Sequence, residues 1–173
     1  MLDEHAKVLT VLQYAGEIIG RKKLQKIVFI LKKLGYPFRE KYGFHFFGPY
    51  SEELTLQTEE LDNLGFLKET KEKQGGYHQY RYELTPSGET FLQNFKFSFS
   101  GLDELVTHLN QQPSRFLELV STALYFEQLD ESEKREKIKT VKAKQNYTED
   151  EIDQAFAFIR DLKKRLVSKT TYS

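Results

Sequence analysis

The residues with the most chemical character in this chain are charged side chains gathered in short runs, and the first run is GRKKLQKIVFILKKLG, from Gly20 to Gly35. It carries Arg21, Lys22, Lys23, Lys26, Lys32 and Lys33, groups whose chemistry is contact with phosphate or carboxylate. On a helical wheel Leu24, Ile27, Val28, Leu31 and Leu34 share one face; Lys22, Lys26 and Lys33 fall opposite, flanked by Phe29 and Ile30. The expectation is a central helix with a wide apolar arc and a narrow basic stripe, covered on more than one side. Arg39 and Lys41 follow it, and Lys68, Lys71, Lys73 and Arg81 form a second basic group. Together these cations would make one phosphate-facing patch. The plainer reading is a solvated helix face and a charged hairpin edge interrupted by Glu69 and Glu72.

A run of opposite sign lies between them. From Ser51 to Leu67 there is no lysine or arginine, whereas Glu52, Glu53, Glu59, Glu60 and Asp62 all occur. A helix this acidic would be repelled by a nucleic-acid duplex and suits water or a basic protein partner instead. A third basic cluster, Lys134, Arg135, Lys137, Lys139, Lys142 and Lys144, is mixed with glutamates and reads as a solvated helix. Other reactive groups are sparse. His5, His45, His78 and His108 lack metal-ligand spacing, and there is no cysteine, glycine-rich phosphate loop or pair of carboxylates placed for acid–base work. The chain is therefore read as not an enzyme, with no catalytic residue, metal or cofactor expected.

Bulk properties narrow the setting. The 26 basic and 26 acidic side chains cancel, so attraction for any partner must come from how charge is distributed. The start, MLDEHAKVL, is acidic where a secretory signal is basic, and no apolar run reaches the roughly 18 to 20 residues that span a bilayer. The expectation is a cytoplasmic chain with no membrane partner.

Elements can be placed around these runs. Val8, Leu9, Val11, Leu12 and Tyr14 give an amphipathic helix over Asp3–Ala15, broken by Gly16, and the central helix follows until Gly35-Tyr36-Pro37 stops it. Phe44, Phe46 and Phe47 form a short extended piece, and Gly48, Pro49, Tyr50 and Ser51 are read as a turn ending in a helix cap. The acidic helix runs from Glu52 to Leu64 with Leu54, Leu61 and Leu64 on its apolar stripe. Two β-prone runs around Gly75-Gly76 predict a long two-stranded hairpin, after which Thr85-Pro86 opens another helix. KFSFSG, from Lys96 to Gly101, is read as a linker, and four helices follow, the last opened by a Thr148–Glu151 capping box. Tyr125, Phe126, Phe156 and Phe158 are read as core aromatics, part of whose surface a homodimer would bury.

Three helices, a short strand, a long hairpin and a closing helix resemble a winged helix-turn-helix, with Tyr80 through Leu92 similar to the end of a wing and its following helix. More narrowly, Arg21-Lys22-Lys23-Leu24-Gln25-Lys26, then Tyr42, Phe46, Gly48-Pro49-Tyr50-Ser51, Leu61 and Leu64-Gly65-Phe66-Leu67, resembles the uncharacterised YwgA-like proteins of bacilli. Two of these motifs also resemble the SocA-like (Panacea) antitoxin domain, although Phe47 stands where that family commonly has tyrosine. These resemblances imply a non-enzymatic regulatory role.

The reading is an α+β, mainly α, protein: a winged-helix domain over 1–95 and a C-terminal helical region over 96–173 packed on it. The function expected is regulatory, exercised by protein–protein contact and antitoxin-like, with Glu52, Glu53, Glu59, Glu60 and Asp62 facing a basic protein. The alternative is a DNA-binding regulator using Arg21, Lys22, Lys23, Lys26 and Lys33 with Lys71, Lys73 and Arg81.

Overall fold

The computed structural model describes residues 2–95 and 99–171, the last five as backbone only. In the first half, α1 (Leu2–Ala15), β1 (Glu17–Ile19), α2 (Arg21–Lys33), β2 (Gly43–His45), β3 (Gly48–Tyr50) and α3 (Glu52–Asn63) precede a hairpin of β4 (Leu67–Gln74) and β5 (Tyr77–Leu84) and then α4 (Pro86–Gln93). The second half is helical: α5 (Leu102–Asn110), α6 (Ser114–Tyr125), α7 (Glu131–Val141), a 3₁₀ turn at Ala143–Gln145, and α8 (Glu149–Thr171). The fold is α+β and mainly α. Among the described residues no helix is long and apolar enough to cross a membrane.

Helix starts follow local chemistry. Leu54 N–H donates to Ser51 Oγ at 3.2 Å, and Gly88 N–H donates to Thr85 Oγ1 at 3.0 Å with Pro86 at the first helical position. Thr148 and Glu151 cap reciprocally, each backbone N–H donating to the other's side chain at 3.1 Å. Leu64 falls outside the last turn of α3 and is 56% exposed, so it leaves the apolar stripe expected of it. The linker reading of KFSFSG lies partly outside the described residues; Gly101, at φ 77, begins α5.

The expected two-stranded hairpin belongs to a three-stranded antiparallel sheet in the order β1-β5-β4. β1 pairs Ile18 with Tyr82, both buried, and is too short to carry a readable alternation. The reading of Gly48-Pro49-Tyr50 as a turn is also corrected. These residues form β3, paired with β2 through Phe44 and Pro49, and the reversal is made by Phe46 and Phe47. Proline is tolerated in so short an edge ladder because its missing N–H costs little there.

The largest correction concerns α2. Eight consecutive residues, Leu24 to Leu31, are buried, including Gln25 and Lys26. Lys26, in the middle of the face read as a basic stripe, is covered by α6 and β3, elements that a helical wheel does not include. Leu9 and Leu12 of α1, Ile27 and Leu31 of α2, and Leu119 and Val120 of α6 are all fully buried in one core. The C-terminal helices therefore complete the packing of the first half. Tyr125 and Phe126 stack on Phe44 at 5.2 and 5.3 Å, and Phe158 packs against Phe116 and His108 at 5.2 Å.

Candidate functional site

The charged groups around α2 are distributed by the elements just described. Gly20 N–H donates to Tyr80 O at 2.7 Å, which sets the first turn of α2 against the sheet. Arg21 there bonds Glu69 of β4 at 2.6 Å and lies 3.6 Å over the Tyr80 ring. Strand alternation brings Arg81 between two acids, Glu72 at 2.7 Å and Glu17 at 2.5 Å, whose hydrogen bonds raise its already high pKa further. Lys33 reaches Glu127 at 3.4 Å, and Lys23 donates to Asn110 O at 2.5 Å. Lys22 sits 3.3 Å over the Phe47 ring, while Lys71 and Lys73 are exposed on β4 with no carboxylate partner among the described residues. Of the eight cations of the alternative DNA-binding set, four are held by an acid or a carbonyl at the surface or in the hairpin.

The third basic cluster is likewise largely bound. Arg135 bridges Glu149 and Asp153, both at 2.6 Å, and Lys139 also contacts Glu149. Lys142 is buried.

The acids of α3 behave differently. Glu52, Glu53, Glu59, Glu60 and Asp62 are all exposed, as is Leu56, which helical spacing sets among the four glutamates. His5 of α1 contacts Glu60 at 2.6 Å, and Asp62 Oδ1 accepts from Glu69 N–H at 3.4 Å. The helix is oriented by Gln25. Its side-chain amide exchanges two 2.9 Å hydrogen bonds with the backbone of Ser51, accepting from the N–H and donating to the carbonyl, and also donates to Thr55 Oγ1 at 3.1 Å. Tyr50 OH meets the same Thr55 hydroxyl at 2.8 Å. In the sequence Gln25 stands out only as one member of the Arg21–Lys26 motif, because a glutamine in a helix carries no sign of its partner.

A second set of polar groups is internal. Lys26, 2% exposed, donates to Pro49 O at 2.8 Å; Lys142, also 2% exposed, donates to Phe46 O at 2.9 Å and to Glu118 Oε1 at 3.0 Å. Tyr147 OH donates to Glu118 Oε2 at 3.3 Å. Two lysines from opposite ends of the chain thus hold both sides of the β2–β3 reversal around one carboxylate of α6. The exposed tip, Phe46 and Phe47, is kept in place from beneath. Glu118 gave no signal in the sequence beyond being an acid on a largely apolar helix.

Burial is the main reason that the Lys26 pKa falls from its ordinary 10.5 to about 8; Glu118 opposes the shift, and Lys142 and Lys22 add to it. Between these two values the unfolded chain holds a proton that the folded chain has lost, so stability should rise with pH from about 8 toward 10.5. Below about 8 the full cost of the buried charge is present, about 3 kcal/mol. Chemical denaturation between pH 7.5 and about 10 should show this rise, and Lys26→Met should flatten it. An identical pH slope in the variant would contradict the assignment.

Among the described residues no three His, Asp or Glu side chains are grouped to hold a metal ion. No family model matches the chain. It is 57% identical over 163 residues to the uncharacterised protein YwgA of Bacillus subtilis strain 168, an alignment covering 94% of this chain and 98% of that one.

Proposed function

We propose, for a chain that belongs to the same family as the uncharacterised protein YwgA, a non-enzymatic regulatory role exercised through protein–protein contact at the acidic face of α3. The order α1–β1–α2–α3–β4–β5, with the β2–β3 hairpin inserted between α2 and α3, and the strand order β1-β5-β4 support reading the first half as a winged helix, with α3 in the position of the recognition helix and β4–β5 as the wing. The observation that carries the proposal is the sign of that helix. Glu52, Glu53, Glu59 and Glu60 surround Leu56 on the exposed side, so the complementary surface is a basic segment bearing one apolar side chain. An antitoxin-like partner protein is one form such a role takes.

The alternative, duplex binding through α2 and the wing, loses most of its donors to internal partners. Of the eight cations, Lys22, Lys71 and Lys73 remain without a carboxylate, a carbonyl or burial. Three phosphate contacts give a slope of log Kobs against log salt of about −3, whereas eight would give about −7. Titration of a labelled random-sequence duplex at several salt concentrations is expected to show weak binding with the shallow slope. Tight binding with the steep slope, abolished by reversing Lys22 and Lys73 to glutamate, would replace the protein-contact reading with the DNA-binding one.

A further inference from the structure

A cavity of about 190 Å³ opens between α2, α3 and the β2–β3 hairpin. Its cationic side is built by Arg21, Lys22 and Lys26 of α2, and its apolar side by Leu54, Phe47 and Tyr82. Two features of α2 at this cavity run against ordinary helix chemistry. The first turn holds no acid, and it carries three consecutive cations where the helix dipole favours anions, with no side-chain cap from Gly20 before it. Local rules broken together in this way are a mark of functional sites.

The second observation is Lys26 itself. Its ammonium offers three N–H donors, it is 2% exposed, and Pro49 O is its hydrogen-bond acceptor. Glu118, the half-buried acid whose charge acts on it, is already bonded to Lys142 and Tyr147. Lys26, Lys142 and Glu118 therefore carry one uncompensated positive charge in the interior. A ligand bringing one negative charge would cancel it and take up donors that the protein leaves unfilled. A dianion fits less well, because Glu59 and Glu69 also line the cavity. The apolar wall requires the rest of such a ligand to be apolar, and the aromatic rings of Phe47 and Tyr82 suit a planar body.

We infer that this cavity is a binding site for a small aromatic or apolar monocarboxylate, held by Lys26 and Lys22 with its body against Phe47, Leu54 and Tyr82. The inference does not depend on what docks at α3. A ligand there touches both α2 and α3, so it would brace the helix that Gln25 and Tyr50 orient.

The full chain is titrated with benzoate, phenylacetate and indole-3-acetate, and with benzamide and benzyl alcohol as uncharged controls, by calorimetry and by amide chemical-shift mapping. At least one acid should bind more than about tenfold tighter than the controls, with shifts grouped over residues 21–26 and 50–58. Lys26→Met should weaken that binding about tenfold or more. Lys22→Gln, an exposed change that leaves the fold unaffected, should weaken it as well and decides the matter if the Lys26 variant does not fold. The inference is overturned if no acid binds at up to about 10 mM, if the neutral controls bind equally, or if the foldable variants bind as the wild type does.

Discussion

Gly88→Ala is expected to remove about 4 kcal/mol or more of stability, enough to leave much of the chain unfolded. Gly88 lies buried in the first turn of α4, directly against the junction where the hairpin returns. A Cβ there would stand 2.1 Å from Phe66 O and 2.6 Å from Leu84 Cδ1. The leucine tip can rotate, but the carbonyl cannot retreat cheaply. Phe66 O accepts the Thr85 N–H at 3.1 Å, the bond that closes the hairpin next to the Leu67–Leu84 pair, and Thr85 in turn caps α4. Relief of the clash would therefore break the hairpin closure, the cap, or both. Gly76→Ala is the control, because a Cβ added there meets nothing within 4 Å and the φ lies outside the range that disfavours side chains. Urea denaturation should show that control within about 0.5 kcal/mol of wild type. A loss below about 1 kcal/mol for Gly88→Ala would mean that the junction is looser than described.

Glu118→Ala should cost about 3 to 5 kcal/mol. The carboxylate is the partner of Lys142 and Tyr147 and the counter-charge for Lys26, so its removal leaves two buried lysines without an acid. Desolvation of an unpaired charge then acts in full, and the route to relief is proton loss from a lysine or entry of water beneath the β2–β3 hairpin. Glu118→Gln keeps an acceptor while removing the charge and should fall between wild type and alanine. Thermal denaturation of the three proteins orders them; equal midpoints would show that the cluster contributes no net coupling.

Much of this architecture was legible because it is local. The caps at Ser51, Thr85 and Thr148 and the Gly75-Gly76 reversal each depend on residues a few positions apart, and all are observed. Elements defined by distant partners were not legible. β1 acquires its meaning from β5, more than sixty residues on, and Lys26 becomes an interior residue because α6 and β3 cover it. The same holds for Lys142, whose cluster of six basic residues between 134 and 144 has the composition of a solvated helix although its ammonium is bonded to Glu118 and Phe46. The acidic sign of α3 needed no partner to be read, and its glutamates are at the surface. The cavity was invisible for the opposite reason: its lining comes from five separate elements, α2, β3, α3, β4 and β5, and from Phe47 between β2 and β3.

On the reading proposed above, α3, and not the lysines of α2, meets the partner. Incorporation of a photo-crosslinking amino acid in place of Leu56, followed by irradiation of intact cells, tests it most directly. A covalent adduct to another protein is expected, lost when Glu52, Glu53, Glu59 and Glu60 are reversed to lysine. No protein adduct at position 56, together with adducts to DNA from the same probe at Lys22 or Lys73, would contradict it.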